Sequence, residues 1–152
     1  MQKPLYILLA GAIFIAAFGM KKNTEHQPRI NHIALAVSDL SKSTAFYRDI
    51  VSLDTIPEPF KDGKHTWFSI GDQSQLHLIE VPLDPEPKNK NTHLCFSVRD
   101  IDAFIHTLNQ HRIEWSNWPG EAKKITIRTD GVKQIYFQDP DGNWLEINND
   151  GR

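Results

Sequence analysis

Residues 31–37 alternate strictly, with His32, Ala34 and Ala36 on one face and Ile33, Leu35 and Val37 on the other. That is the period-two signature of a strand with one buried side. Ser41 is placed to cap a following helix whose apolar side is Phe46, Tyr47 and Ile50. Three short strands are then expected at 55–56, 66–70 and 75–81, parted by Pro57-Glu58-Pro59, Asp62-Gly63 and Gly71-Asp72. The order βαβββ repeats downstream. Residues 92–98 alternate again, Asp100 can cap a helix carrying Ile101, Phe104, Ile105 and Leu108, and strands are expected at 113–115, 134–138 and 144–148. The turn Asp139-Pro140-Asp141-Gly142-Asn143 joins the last two strands. Between the units, Pro82, Pro85 and Pro87 with Lys88-Asn89-Lys90-Asn91 read as a stiff polar linker. The fold class is therefore α+β: two tandem βαβββ units, 29–82 and 91–150, forming a cupped, partly open mixed sheet.

The two units share residues as well as order. His32-Ile33-Ala34-Leu35-Ala36-Val37-Ser38-Asp39-Leu40 aligns with His93-Leu94-Cys95-Phe96-Ser97-Val98-Arg99-Asp100-Ile101 at an offset of 61 residues. The segment 68–78 aligns with 137–147 at an offset of 69, which sets His77 against Glu146. The second unit is thus eight residues longer, and the excess fits a long loop at 116–131, a natural place for substrate contacts.

Alternation decides which way the chemistry points. Ile33, Leu35, Val37 and Leu94, Phe96, Val98 must pack on the helices, so His32 and His93 face the opposite, concave side. In the last strands Leu76, Leu78, Leu145 and Ile147 take the helix side, which sends His77 and Glu146 to the concave side too. Imidazole nitrogens and a carboxylate oxygen suit divalent ions such as zinc, nickel, iron and manganese, with coordination space left for water or substrate. A lone histidine within a sheet is ordinarily a hydrogen-bonded core residue; four ligand-type residues at repeat-equivalent places favour a metal centre. Glu80 falls with Leu76 and Leu78 and reads as a strand-end charge. Trp115, Trp118 and Phe60 could wall a substrate pocket or a subunit contact, and Lys123, Lys124 and Arg128 in the long loop could hold an anionic group. Cys95 shares the face of His93 and reads as a small packing residue. His26, His65, His106 and His111 lie off the repeat and read as surface residues.

Composition adds limits. A chain of 152 residues, 39% hydrophobic and 24% charged, is ordinary for one domain. The formal charge of −2 with scattered basic residues gives no electrostatic case for nucleic acid. One cysteine allows neither an internal disulfide nor a cysteine-based zinc site. At the N-terminus Lys3 precedes an apolar run over 5–18, followed by Gly19, the layout of a secretory signal at 1–19 with a polar linker at 20–28. The run is short for a span of about 20 residues, so export to the periplasm or beyond is expected, with an uncleaved membrane anchor as the alternative.

The motifs Asn31-His32-Ile33-Ala34-Leu35-Ala36-Val37, Phe46-Tyr47-Arg48-Asp49, Gln75-Leu76-His77-Leu78-Ile79-Glu80, Thr92-His93-Leu94 and 137–146 resemble the vicinal oxygen chelate superfamily over nearly the whole chain beyond the linker. That superfamily includes glyoxalase I, fosfomycin-resistance thiol transferases, extradiol dioxygenases and bleomycin-resistance proteins. The resemblance puts His32, His93 and Glu146 at the ligand positions of the first, fifth and eighth strands. His77 holds the fourth-strand position, which is Glu or Gln in glyoxalase I members, so this chain departs there.

What the resemblance implies is a metal-dependent lyase or isomerase of the glyoxalase I type, acting on a small α-hydroxycarbonyl or thiohemiacetal through a metal-stabilised enediolate. Glu146, the only carboxylate of the four, is the expected base. An extradiol-type dioxygenase would use His32, His93 and Glu146 alone, and His77 argues against it. The same resemblance is compatible with a fosfomycin-type thiol transferase and with a non-enzymatic protein that sequesters a small molecule. It also implies a homodimer, with ligands from one chain or from both.

Overall fold

The computed structural model describes residues 28–84 and 86–151. The expected signal segment lies outside them. No described helix is long and apolar enough to cross a membrane. The chain forms β1 (His32–Val37), α1 (Leu40–Asp49), β2 (Thr55–Ile56), β3 (His65–Ser69), β4 (Gln75–Glu80), β5 (His93–Ser97), α2 (Ile101–Gln110), β6 (Trp115–Ser116), β7 (Thr126–Ile127), β8 (Lys133–Gln138) and β9 (Trp144–Asn148). Both βαβββ units are present, and the long loop of the second contributes β7, a two-residue strand paired with β8 that hydrophobic alternation over so short a stretch could not announce.

The units build two separate open sheets, ordered β1-β4-β3-β2 and β5-β9-β8-β6. In each, the first strand pairs in parallel with the last and all other pairs are antiparallel. The repeat extends to register: His32 faces Gln75 with Ala34 opposite His77, and His93 faces Trp144 with Cys95 opposite Glu146. Each pair of ligand-type residues is therefore one diagonal step apart across a parallel ladder.

The helices begin alike as well. Asp39, rather than Ser41, caps α1, its side chain accepting from the Lys42 amide at 2.9 Å, and Asp100 does the same for α2 through Ala103. A carboxylate at the cap satisfies an orphan amide and opposes the positive end of the helix dipole, which a serine two residues later could not do.

Helix-side residues of both units merge into one core that includes Val37, Tyr47, Phe68, Leu76, Leu78, Leu108, Ile135, Phe137, Leu145 and Ile147. Burying such a side chain is worth about 1.5–3 kcal/mol. Phe137 lies 6.2 Å from Phe46 of α1 and 5.8 Å from Phe104 of α2, bridging the units. The turn after β8 adds a polar clasp. Tyr47 Oη donates to Asp139 Oδ2 at 2.8 Å, Ser43 Oγ donates to Asp141 Oδ2 at 2.9 Å, and Ser38 gives Asp141 Oδ1 both its amide and its hydroxyl. Gly142, at φ 79°, turns the chain back where a side chain would be strained.

Candidate metal centre

The predicted side chains all emerge on the faces turned away from the helices. Along β1 exposure alternates, with His32, Ala34 and Ala36 open to solvent. In β4 His77 is only 9% exposed between two wholly buried leucines, and in β9 Glu146 is 5% exposed between Leu145 and Ile147. Glu80 goes to the helix side, as expected, where its carboxylate accepts from the Leu40 amide at the start of α1.

The four residues form two half-sites. In the first, the rings of His32 and His77 stack at 4.4 Å, and Trp67 covers the other face of His77 at 3.9 Å, nearly parallel. His77 Nε2 pairs with Gln75 Oε1 at 2.8 Å and His32 Nδ1 with Asn31 Oδ1 at 2.8 Å. Burial, then the neighbouring His32 and His65, lowers the pKa of His77, favouring the neutral imidazole that a metal requires. Trp67 Nε1 is the one buried side-chain donor among the described residues without an acceptor. His65 stands on the same strand as Trp67, half-buried and paired with Asp62 at 2.9 Å. Expected to lie off the repeat, it in fact occupies the place of Gln134: both the residue pair and their partners Ile79 and Asn148 sit 69 residues apart.

In the second half-site His93 Nε2 lies 3.3 Å from Glu146 Oε2. His93 Nδ1 is 2.9 Å from the Lys90 carbonyl, which can only accept, so Nδ1 carries a hydrogen and, in the neutral ring, Nε2 presents its lone pair to the carboxylate. Two acceptors facing each other call for a cation or a second proton between them. Donors about 2.1 Å from one ion at a tetrahedral angle are roughly 3.4 Å apart, so the spacing fits a shared ion. Glu146 Oε1 accepts from Gln134 at 2.6 Å, Asn148 at 2.9 Å and Cys95 at 3.2 Å, and Oε2 accepts from Tyr136 at 2.7 Å. Burial pushes the Glu146 carboxyl up, but these donors outweigh it and leave it below its ordinary value, hence ionised at neutral pH. Cys95 is an exposed residue rather than the packing residue expected, yet lost hydration at its sulfur and the bond to Glu146 drive the thiol the other way, to about 12.

Among the described residues no three His, Cys, Asp or Glu side chains gather closely enough to hold an ion. The half-sites lie on different sheets of one chain.

Of the residues expected at the substrate, Trp118 rims the second half-site, 42% exposed, with its ring 6.4 Å from His93 and 5.3 Å from Tyr136. Trp115 is 6% exposed and belongs to the core, its Nε1 donating to Asn109 of α2 at 3.1 Å. It also borders a cleft of about 310 Å³ with Ser116, Tyr136 and Trp144. Lys123 and Lys124 are exposed, whereas Arg128 is tied to Asp130 at 2.7 Å and Asp150 at 2.8 Å. Lys90, which nothing in the sequence pattern singles out, inserts its ammonium beside the second half-site.

A profile of the Glyoxalase/Bleomycin resistance protein/Dioxygenase superfamily matches residues 29–147. The uncharacterized protein YaeR of Escherichia coli is 32% identical over 130 residues, 78% of this chain and 94% of its own. The metallothiol transferase FosB of Shouchella clausii is 32% identical over 122 residues, covering 78% and 77%. Among solved structures, the oxidase ChaP-H2 superposes with a TM-score of 0.67 at 24% identity, over 80% of this chain and 92% of its own. Lactoylglutathione lyase from Agrobacterium tumefaciens does so with 0.60 at 22%, over 82% and 95%. At these identities the superpositions speak for the fold.

Proposed function

Because the chain belongs to the glyoxalase/bleomycin resistance/dioxygenase superfamily, we propose that it is a metal-dependent lyase or isomerase of the glyoxalase I type, acting on a small α-hydroxycarbonyl or thiohemiacetal. The observation that carries this reading is the facing pair His93 Nε2 and Glu146 Oε2, two acceptors at a spacing that suits a shared cation. His93 and Glu146 would hold a zinc, nickel, iron or manganese ion together with His32 and His77. A divalent ion held there would supply Lewis acidity to the substrate's oxygens.

Glu146 is built to move a proton as well as to bind. Its Oε1 is anchored by three donors, while Oε2 is held by Tyr136 alone and faces His93. Rotation about the anchored oxygen would carry Oε2 away from the place it shares with His93, free to take a proton from one substrate carbon and return it to the next. Trp118, exposed at the rim, can stack on a planar substrate, and the buried Tyr136 backs it.

Two separate half-sites in one chain argue that the complete centre needs a second copy: His32 and His77 of one protomer meeting His93 and Glu146 of another. An exported protein, which the apolar run at 5–18 argues for, meets thiols other than glutathione, a chiefly cytosolic compound.

A thiol-transferase reading has its own support. The stacked His77, with Nε2 tied to Gln75, would leave His32, His93 and Glu146 as a three-donor set, and FosB is a metallothiol transferase by name. The full chain loaded in turn with each ion is assayed on methylglyoxal thiohemiacetals, on catechols with oxygen uptake, and on fosfomycin with a thiol. Isomerisation of the thiohemiacetal is expected. Glu146→Gln should lower that turnover by about a hundredfold or more while metal stoichiometry at saturating ion is kept. Intact turnover in the metal-loaded variant removes the base role, and adduct formation with fosfomycin replaces the reading with the transferase.

A further inference from the structure

Lys90 closes the linker between the units, and its surroundings are unusual for a linker lysine. The ammonium is directed inward to three acceptors, the Asn117 carbonyl at 2.7 Å, the Trp118 carbonyl at 3.1 Å and Ser116 Oγ at 3.4 Å. Three rings surround it: Tyr136 at 4.6 Å, Trp144 at 4.9 Å and Trp118 at 5.6 Å from Nζ to centroid. Each ring presents its electron-rich face to a cation that also has three oxygen acceptors, so protein groups replace part of the hydration of the half-buried ammonium. Neighbouring bonds fix the same turn, with Trp144 Nε1 donating to the Lys88 carbonyl and the Thr92 amide to the Asn89 carbonyl.

Locking Lys90 locks its backbone carbonyl, and that carbonyl accepts from His93 Nδ1 at 2.9 Å. The bond decides which imidazole nitrogen carries hydrogen and which way the ring points. Tyr136 completes the link, since its ring covers the ammonium while its hydroxyl holds Glu146 Oε2 at 2.7 Å. We propose that Lys90 is a positioning residue for the metal centre: its caged side chain sets the His93 tautomer and orientation so that Nε2 faces Glu146. It touches neither substrate nor ion, and the inference rests on the metal-centre reading above only for its effect on affinity.

The test uses the full chain as wild type, Lys90→Met, Lys90→Arg and Trp118→Leu. Lys90→Met keeps the aliphatic stem and removes the charge; Lys90→Arg restores a cation. Nitrogen NMR of the metal-free protein reads the His93 tautomer, and titration with Zn²⁺ or Ni²⁺ reads affinity. Lys90→Met should convert a single Nδ1–H imidazole into a tautomer mixture and weaken metal binding on the order of tenfold. Lys90→Arg should recover most of both. Trp118→Leu, which opens one wall of the cage on an exposed loop, should shift both readouts in the same direction by less, and it stands in if Lys90→Met does not fold. An unchanged tautomer with wild-type affinity in Lys90→Met, or failure of Lys90→Arg to recover either, overturns the proposal. His93→Ala separates the two claims: wild-type metal affinity in that variant would defeat the metal-centre reading, while the metal-free tautomer comparison would still decide the role of Lys90.

Discussion

The carboxylate of Glu146 draws four donors and a histidine around two oxygens, and the thiol of Cys95 is one of those donors. With its pKa near 12 the thiol stays protonated across the physiological range, a donor rather than a nucleophile. Alkylation of Cys95 by iodoacetamide should therefore be slow at pH 8. Desolvation, the largest cause, stays in Glu146→Gln, but the negative charge goes, so the same reaction should accelerate measurably, which mass spectrometry of the modified chain can follow. Equal rates would show that Glu146 does not control Cys95. The four ligand-type residues were legible from sequence because alternation and duplication both constrain them. Lys90 was not, because within Lys88-Asn89-Lys90-Asn91 it reads as one more solvated charge, and only the rings of β8, β9 and the long loop mark it out. His65 could have been found, since the offset that pairs His77 with Glu146 also pairs His65 with Gln134.

Among the elements, the Asp139-Pro140-Asp141-Gly142-Asn143 turn was readable as a turn, yet its partners Ser38, Ser43 and Tyr47 lie in the other unit and no local pattern could name them. Asp141→Ala leaves the buried Ser43 hydroxyl without its acceptor and hands the amide and hydroxyl of exposed Ser38 back to water, and should cost about 1 kcal/mol in chemical denaturation. Acid should weaken the same clasp. Burial raises the Asp141 carboxyl, but donors from Ser38 and Ser43 and the nearby Lys42 bring it below its ordinary value. A carboxylate depressed in the folded state contributes stability above its unfolded pKa and loses it as pH falls through the folded one. The stability gap between wild type and Asp141→Ala should thus be fully open at about pH 6–7 and narrow below about pH 4, as melting curves across that range will show; a constant gap would put the effect in packing instead. β7 and the Asp39 cap mark the other limits of local reading: a two-residue strand has no periodicity, and Ser41 competed with an aspartate whose equivalent, Asp100, was recognised in the second unit.

As a whole the molecule is two similar sheets on one core, each presenting two ligand-type side chains on its open face. Symmetric pairing of two chains would unite the halves crosswise, and complementation in the test tube can detect it. One variant carries His32→Ala with His77→Ala, the other His93→Ala with Glu146→Gln. Each alone should be inactive. After mixing and subunit exchange, half of the dimers are mixed, each with one intact site, so about a quarter of wild-type activity should return. No recovery, with exchange verified by mass, would place the centre within a single chain and demand a rearrangement of the two sheets.

The unequal turns of the two units also bear on how freely each copy can change. The turns before β4 and β9 hold equivalent places in the two units, but only the second is a clasp, with 139–143 tied to residues in the opposite unit. Asp72 and Gln73, exposed in the left-handed region of the first unit's turn, carry no such obligation. Drift, insertions and engineered labels should accumulate there, while the same edits at 139–143 would pry the two copies apart.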